Sequence, residues 1–368
     1  MSPTVGTVAG MEAPGDRPTT TTGAGHPVVA HDLVKVGDVE LVDRRAREDA
    51  DHLHLAPFAT RAEGAGERAA SEAPDPYRTC FERDLDRIQH SRPFRRLAGK
   101  CQVFLAPDDD HLRTRLTHAI EVAQVAVSIA RGARLNLALT QAAAMGHDCG
   151  HGPAGHASED ALSPFVQGGF HHAVYGADVV LAPLNLCAET LDAIRNHSWN
   201  RPSPSTPEGE VVAWADRIAY VCHDFEDAVE AGIVTADELP PAVAEVVGRD
   251  RRVQLGAFVT SMLDTIADTG AVAMRNPEAE ALSAFRAFNY ERIYLRPAST
   301  EQAGRVVALI RALTEHVAEH PRDAHVVPGS DEAVAEAVRY VSGMTDRFAL
   351  ELAVERLGWS REALPQGL

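Results

Sequence analysis

The stretch His147-Asp-Cys-Gly-His151-Gly-Pro-Ala-Gly-His156 decides both the fold and the chemistry that this sequence predicts. Side chains of adjacent helical residues point about 100° apart, so His147 and Asp148 can reach one ion together only near a helix end. The pair stands at such a place, because an apolar helical pattern from Leu137 to His147 stops where glycines crowd together. We therefore expect a helix to end here, with two metal ligands beside a glycine-rich turn.

Two other segments supply matching ligands. His118 follows Arg115 by three residues on a predicted amphipathic helix from Thr114 to Arg131, and Asp216 lies on a predicted helix over 210–231. The predicted metal ligands are therefore His118, His147, Asp148 and Asp216. Two imidazoles and two carboxylates suit Mn²⁺, Mg²⁺, Co²⁺ or Fe²⁺ better than they suit a structural thiolate zinc site. The sequence thus predicts metal-dependent hydrolysis of phosphate esters.

The segment 210–231 is apolar around most of its circumference and must be buried, yet it carries a polar stripe. Asp216, Tyr220 and Asp224 follow one another at four-residue steps on one helix face. Unpaired carboxylates in a core are costly, so we expect the stripe to face a metal, a ligand or cationic partners. Simple salt bridging to nearby arginines is the alternative interpretation.

A histidine cluster follows the His-Asp pair, and it supplies the predicted acid and base. Glu159 comes one helical turn after His156, and a carboxylate at that spacing can hold an imidazole in one tautomer and raise its pKa. His172, in the doublet His171-His172, adds a second acid on a separate segment. The alternative is an adventitious metal site on a surface loop.

The charge pattern limits the class of partner. A net charge of −18 argues against a general nucleic-acid coat, because nonspecific binding to duplexes depends on Lys and Arg. Between Arg78 and Leu105, however, seven basic residues stand against three acidic ones, an excess of four that predicts a focused anion pocket. Arg115 shares a helix face with His118, so a phosphate-binding guanidinium and a metal ligand can meet one substrate.

Composition predicts a mainly α-helical protein. Of the 368 residues 45% are apolar and only 5% aromatic, alanine occurs in runs, and strand-like alternation is almost absent. Further helices are predicted over 240–267, 278–292, 300–319 and 330–357. We divide the chain into a partly disordered N-terminal arm with possible short helices (1–76), a catalytic core (77–235), and a helical C-terminal region (236–368) that packs on the core and on partner subunits.

The cysteines and the hydropathy pattern bear on location. Five scattered cysteines without a C-x-x-C motif fit a reduced, cytoplasmic protein, and Cys149 is interpreted as structural. No stretch approaches the roughly 20 apolar residues that cross a bilayer, so neither membrane insertion nor secretion is expected.

These motifs resemble the bacterial deoxyguanosinetriphosphate triphosphohydrolase (dGTPase) family of the HD-domain superfamily, from about Tyr77 to Leu357. The matching segments are Arg83-Asp-Leu-Asp-Arg-Ile-Gln-His-Ser-Arg-Pro-Phe-Arg-Arg-Leu, Asp110-His-Leu-Arg-Thr-Arg-Leu-Thr-His118, the stretch 147–156, and Ser342-Gly-Met-Thr-Asp-Arg-Phe348. The last is similar to a C-terminal signature that ordinary HD phosphatases do not share. The resemblance implies an all-α fold with an HD-domain helical core and additional C-terminal helices.

The resemblance also implies roles for individual residues. The four metal ligands named above keep that role, His156 and Glu159 look like the catalytic pair, and His172 falls near the triphosphate as a further catalytic residue. The substrate-binding residues would be Arg115, Gln102, Tyr220, Asp224 and His151, with Tyr220 leaving no space for a ribose 2′-hydroxyl. The chain departs from the family where Ala173-Val174-Tyr175 follows His172 in place of Asn-Ala-Gln.

The expected activity is hydrolysis of a dGTP-like deoxynucleoside triphosphate to deoxynucleoside and inorganic triphosphate. Two alternatives are an HD phosphohydrolase acting on a nucleoside monophosphate or an alarmone, and a catalytically weak nucleotide-sensing oligomer. The resemblance further implies a homo-oligomer, with an allosteric nucleotide and single-stranded nucleic acid as possible partners.

Overall fold

The computed structural model describes residues 36–105, 111–322 and 324–365. The chain divides into two units, Met1–Val42 and Asp43–Leu368, and residues 36–42 of the first contain neither helix nor strand. The described part of the second unit has fifteen α-helices and no β-strand. The helices are α1 Arg44–His54, α2 Cys80–Gln89, α3 Arg92–Arg96, α4 Arg115–Gly132, α5 Leu137–Gly146, α6 His156–Leu162, α7 His172–Tyr175, α8 Ala188–Asn196, α9 Pro207–Glu230, α10 Pro241–Val247, α11 Arg251–Thr269, α12 Asn276–Asn289, α13 Pro297–Glu319, α14 Asp331–Ser342 and α15 Asp346–Leu357. The predicted all-α fold is confirmed.

Local sequence explains where the helices that carry the site begin. Thr114 caps α4 by accepting a hydrogen bond from the backbone N–H of Thr117, and Asn136 caps α5 through its side chain in the same way. Thr206 precedes α9, which has Pro207 in its first turn, where the missing proline N–H costs no helical hydrogen bond. These caps determine where α4, α5 and α9 begin.

Two long helices predicted near the C-terminal end are each broken in two. The segment 240–267 forms α10 and α11, which separate at Gly248, where φ is +81° and only glycine is unstrained. The segment 330–357 forms α14 and α15, because Thr345 caps a new helix just after Gly343. Within the predicted N-terminal arm, residues 61–73 form no helix. Residues 1–30 of this arm, for which disorder is predicted, lie outside the described residues.

The larger apolar core surrounds α5. This helix packs against α2, α4, α8 and α9, and its residues from Ala142 to Gly146 are buried. A smaller core joins α6 to α13, α14 and α15. The turn between α5 and α6 therefore lies between the two cores, and this turn carries the His-Asp pair.

All five cysteines are buried free thiols. Burial raises the pKa of Cys149 to about 12, so its thiol is un-ionised at neutral pH, in keeping with a structural role. Among the described residues we find no helix with the length and apolar character needed to traverse a lipid bilayer.

Candidate active site and metal centre

The four predicted metal ligands converge on one point of the core. His118 lies in the first turn of α4, His147 and Asp148 follow the last residue of α5, and Asp216 is in the middle of α9. Asp216 Oδ1 lies 3.1 Å from His118 Nε2 and 3.6 Å from His147 Nε2. Asp148 Oδ1 lies 3.4 Å from His147 Nε2. Residues about 100 positions apart in sequence thus bring two imidazoles and two carboxylates within a few ångströms of each other.

The hydrogen bonds of His147 show that these residues fit a divalent cation. Its Nδ1 lies 2.7 Å from the carbonyl oxygen of Ala144, so this nitrogen carries the proton, and the lone pair belongs to Nε2. Nε2 is buried and has no hydrogen-bond partner. An orphaned buried acceptor beside two carboxylates is costly in the protein alone and is satisfied by a metal ion.

Both carboxylates are held in their charged form. Burial alone would raise the pKa of Asp216, but the hydrogen bond from His118 and the neighbouring imidazoles hold it below its ordinary value. The pKa of Asp148 also lies well below its usual range despite burial, because His147, Arg115 and His151 surround it. The site therefore offers negative charge to a cation at neutral pH.

Arg115 contacts one of the predicted metal ligands. Its side chain is only 2% exposed, and Nη1 donates a hydrogen bond of 2.7 Å to Asp148 Oδ2. The guanidinium packs so closely on Gly155 that a Cβ there would lie 2.2 Å from Nη2. In this arrangement Arg115 orients Asp148 and balances its charge. Phosphate binding by Arg115 stays a prediction.

Glu159 joins the predicted acid residues into one cluster. Its Oε1 lies 2.7 Å from His156 Nδ1 and 3.0 Å from His172 Nδ1, and its Oε2 accepts the backbone N–H of His172. His151 stacks on His172 with the ring centroids 3.8 Å apart, and its Nε2 lies 3.2 Å from Asp148 Oδ1. The cluster therefore contacts Asp148, one of the predicted metal ligands, through His151. His156 alone is open to solvent, with 76% of its side chain exposed.

His197 is a site residue that sequence reasoning missed. It follows the last residue of α8, just as His147 follows α5, and its ring centroid lies 4.9 Å from that of His147. Its Nδ1 lies 2.8 Å from the carbonyl oxygen of Ile194, and burial lowers its pKa to about 3. The recurring pattern of a histidine directly after a helix is the signal that could have found it.

Comparison with known proteins identifies the family. Residues 115–221 match the family model of the HD domain, and residues 272–355 match that of the phosphohydrolase-associated domain. A deoxyguanosinetriphosphate triphosphohydrolase-like protein of Caldanaerobacter subterraneus subsp. tengcongensis is 38% identical over 320 residues, covering 83% of this chain and 93% of the relative. The chain belongs to this family of HD phosphohydrolases.

Other relatives agree with this membership. A second family member of the same name, from Desulfatibacillum aliphaticivorans, is 36% identical over 329 residues, covering 80% of this chain and 92% of the relative. Among solved structures, a hypothetical protein from Aquifex aeolicus aligns with a TM-score of 0.50 at 17% identity, over 76% of this chain and 69% of that chain. That likeness concerns the fold alone.

Residues 342–348, the C-terminal segment that resembles a family signature, form hydrogen bonds with the glycine-rich turn and with the segment before α4. The carboxylate of Asp346 accepts the backbone N–H of Cys101 and that of Ala154, each at 2.7 Å. Lys100 is buried and donates to the carbonyl oxygens of His151 and Ser342. Burial lowers the pKa of Lys100 to about 7. The phosphohydrolase-associated region thus holds the turn that carries the His-Asp pair.

The predicted sugar-binding residues lie on α9 and beside it. Tyr220 accepts a 2.9 Å hydrogen bond from Arg286, and Asp224 accepts one of 2.6 Å from the hydroxyl of Tyr294. Gln102 has a buried Oε1 without a partner. The polar side chains on this face of α9 therefore contact imidazoles, a guanidinium and a phenol. Salt bridges to arginines alone do not account for them. Arg286 and Tyr294 were missed because nothing in their local sequence links them to α9.

Two further sequence features can be located in the structure, namely the basic segment and the departure from the family pattern at 173–175. Part of the basic segment is paired with carboxylates, because Arg78 is bonded to Asp75 and Asp86, and Arg87 is bonded to Glu72. The focused anion pocket stays a prediction. Of the residues at 173–175, Tyr175 packs on the smaller core, where its ring lies 4.6 Å from that of Phe170.

Asp224 predicts a pH dependence of stability. Burial raises its pKa from 3.8 to about 7, so between these values the folded chain holds a proton that the unfolded chain has lost. Its contribution to stability is complete below pH 3.8 and is lost as the pH rises through 7. Asparagine does not titrate, so Asp224→Asn should not show this loss. From pH 5 to pH 8 the free energy of unfolding of the variant should therefore rise by roughly 2–3 kcal/mol relative to that of wild type. Urea unfolding of both proteins at pH 5 and pH 8, in the presence of a metal chelator, measures this difference. The same change in the free energy of unfolding with pH in both proteins would contradict the prediction.

Proposed function

We propose that this chain hydrolyses deoxynucleoside triphosphates, dGTP among them, to deoxynucleoside and inorganic triphosphate in a metal-dependent reaction. The observation that carries the proposal is the convergence of His118, His147, Asp148 and Asp216 around the orphaned Nε2 of His147. The names of the relatives, deoxyguanosinetriphosphate triphosphohydrolase-like proteins, support this substrate class.

The four ligands would hold one divalent cation such as Mn²⁺, Mg²⁺, Co²⁺ or Fe²⁺. When bound, such a cation supplies Lewis-acid polarisation of a phosphoryl group. Arg115 fixes one oxygen of Asp148, which leaves the other turned toward His147 and His151. The protein groups thus form a preorganised electrostatic site, in which most of the rate gain comes from positioning and charge neutralisation.

Hydrolysis needs an acid at the departing oxygen, and His156 is suited to this task. Water attacks the α-phosphorus and releases a proton to solvent as its oxygen joins the phosphoryl group. The bond from that phosphorus to the 5′-oxygen breaks, and the 5′-oxygen takes a proton from His156 to leave as the deoxynucleoside hydroxyl. His156 acts in its doubly protonated form, in which Nδ1–H donates to Glu159 and Nε2–H is the proton given to the substrate. Its exposed ring can reach a substrate that enters from solvent.

Tyr220 would select deoxyribose by lying against the sugar where a 2′-hydroxyl would stand. Arg286 holds the phenol through a hydrogen bond between neighbouring helices. Gln102, with its free buried oxygen, would accept the 3′-hydroxyl.

Product analysis tests the proposal directly. Purified protein is incubated with each dNTP, singly and in pairs, and with the matching ribonucleotides, in Mn²⁺ or Mg²⁺, and the products are separated by ion exchange. Deoxynucleoside plus triphosphate from dNTPs supports the proposal. Monophosphate plus pyrophosphate, equal turnover of ribonucleotides, or no turnover with any divalent metal would contradict it. Activation of one dNTP's cleavage by another would reveal the expected allosteric nucleotide.

The variant His156→Ala separates chemistry from metal binding. Because the ring is exposed and touches the metal ligands only through His151, we expect unchanged stability and metal content. Loss of the acid should lower kcat on the order of 10²-fold. Steady-state kinetics and metal analysis on the same preparation check both parts. The exposed His320→Ala is the matched control, and wild-type turnover in His156→Ala would remove His156 from the mechanism.

A further inference from the structure

Two of the free cysteines contact each other at a place where two helices begin. Cys80 is the first residue of α2, and Cys187 directly precedes α8. Their thiols are joined by a side-chain hydrogen bond. A Cβ at Gly66 would lie 2.4 Å from Cys187 Sγ and 3.3 Å from Cys80 Sγ, so both sulfurs converge on the space that this glycine leaves. Residues far apart in sequence thus hold two sulfur atoms side by side.

A buried ion pair holds the backbone on both sides of this contact. Asp84, in α2, accepts the backbone N–H of Cys187 at 2.8 Å. The guanidinium of Arg68 donates to Asp84 at 2.6 Å and to the carbonyl oxygen of Cys80 at 2.9 Å. The side chains of Arg68 and Asp84 are at most 1% exposed, and Arg68 also forms a β-bridge with Cys187. The approach of the two sulfurs is therefore fixed by the packing of the backbone.

The surroundings favour a thiolate on Cys80. A cysteine in the first turn of a helix lies at the positive end of the helix dipole, and a nearby guanidinium such as that of Arg68 also stabilises negative charge. The hydrogen bond with Cys187 holds the pKa of Cys80 below its ordinary value despite burial, and the same bond raises the pKa of Cys187. A nucleophilic sulfur therefore contacts a second thiol. Both residues are at most 1% exposed, which favours a small uncharged oxidant over a bulky one.

We propose that Cys80 and Cys187 form a reversible disulfide when the protein meets hydrogen peroxide. The Cys80 thiolate attacks one peroxide oxygen, the O–O bond breaks, and the departing hydroxide takes a proton to become water. The Cys187 sulfur then attacks the sulfur of the resulting sulfenic acid, the S–O bond breaks, and a second water leaves with the Cys187 proton. Two thiols and one peroxide thus give one disulfide and two waters. A small thiol reverses the reaction by exchange.

The bond would join two helices that both pack on α5, the helix that ends before His147. It closes a loop of more than 100 residues, and such a bond stabilises the folded protein mainly by restricting the unfolded chain. Among the described residues, neither cysteine belongs to a group that could hold a metal. The inference therefore goes beyond the proposed function and does not depend on it.

Peptide mapping of full-length protein tests the proposal. The protein is reduced, freed of reductant, treated with hydrogen peroxide in the presence of a metal chelator, then unfolded, alkylated and digested without reduction. Mass spectrometry should find the peptides of Cys80 and Cys187 joined with the loss of two hydrogen atoms, and the other three cysteines alkylated. The oxidised protein should melt roughly 5 °C above the reduced protein. Dithiothreitol should reverse both changes.

Two variants separate the disulfide from other effects of peroxide. Cys187→Ala should show no peroxide-dependent rise in melting temperature, whereas Cys222→Ala, which also removes a buried free thiol, should show the full rise. Circular dichroism confirms the fold of each variant, and the map of the wild-type protein stands without them.

The outcomes that overturn the proposal are distinct. They are free thiols at both positions after peroxide treatment, a sulfinic acid on Cys80 without a link, and a link from Cys80 to a cysteine other than Cys187. An equal rise in melting temperature in Cys187→Ala would also overturn it. The presence or absence of dNTP hydrolysis bears on the proposed function alone.

Discussion

Replacing His147 with glutamine is expected to remove the cation shared with His118 and Asp216 and to lower kcat/KM for dNTP hydrolysis by about 10³-fold or more. The lone pair on Nε2 is the only donor that this side chain directs into the site, and it has no other hydrogen-bond partner. Three orders of magnitude correspond to about 4 kcal/mol of transition-state stabilisation, which is the scale expected for a Lewis-acid metal.

The control for this prediction is His223→Gln, which also changes a buried histidine, on α9, outside the metal-binding groups. Metal analysis and product chromatography on both variants give the result. A His147→Gln enzyme with wild-type metal content and turnover would show that the orphaned nitrogen is not a ligand.

The second large effect concerns stability. Arg115→Ala should lower the free energy of unfolding of chelated protein by about 3–5 kcal/mol, because it leaves the buried Asp148 without its cationic partner. Saturating Mn²⁺ should restore part of this loss, since a bound cation compensates the same carboxylate and stabilises only the folded chain.

Urea unfolding with chelator and with Mn²⁺ measures both parts of this prediction. Arg78→Ala is the matched control, since its guanidinium is also ion-paired but half exposed, and it should have little effect. A loss for Arg115→Ala that is the same with and without Mn²⁺ would mean that the arginine acts through packing on Gly155 and not through charge.

The helical fold and the central ligands could be predicted because their signals are local. A helix end beside glycines places His147 and Asp148, and the step of four residues on α9 places Asp216 on the face of Tyr220. His118 required only the amphipathic pattern of α4. In each case a short stretch of sequence determines both the element and the direction of its side chain.

The remaining site residues depend on tertiary packing. His197 and Arg286 reach the site because α8 and α12 pack against α9, and Tyr294 reaches it from the segment that follows α12. No local pattern indicates this packing. The breaks after Val247 and Ser342 were missed because the apolar periodicity continues across them, whereas the caps at Asp250 and Thr345 begin new helices.

The hydrogen bond between Asp346 and the glycine-rich turn has a consequence for shortened forms of this protein. A chain that ends before Ser342 would lack one of the two acceptors of the Lys100 ammonium, and it would lack the acceptor of the backbone N–H groups of Cys101 and Ala154. Such a fragment would contain every metal ligand and still fail to position them. Residues 43–365 should therefore melt in a single cooperative transition, and a minimal catalytic domain cannot be cut from this chain at the boundary of the HD match.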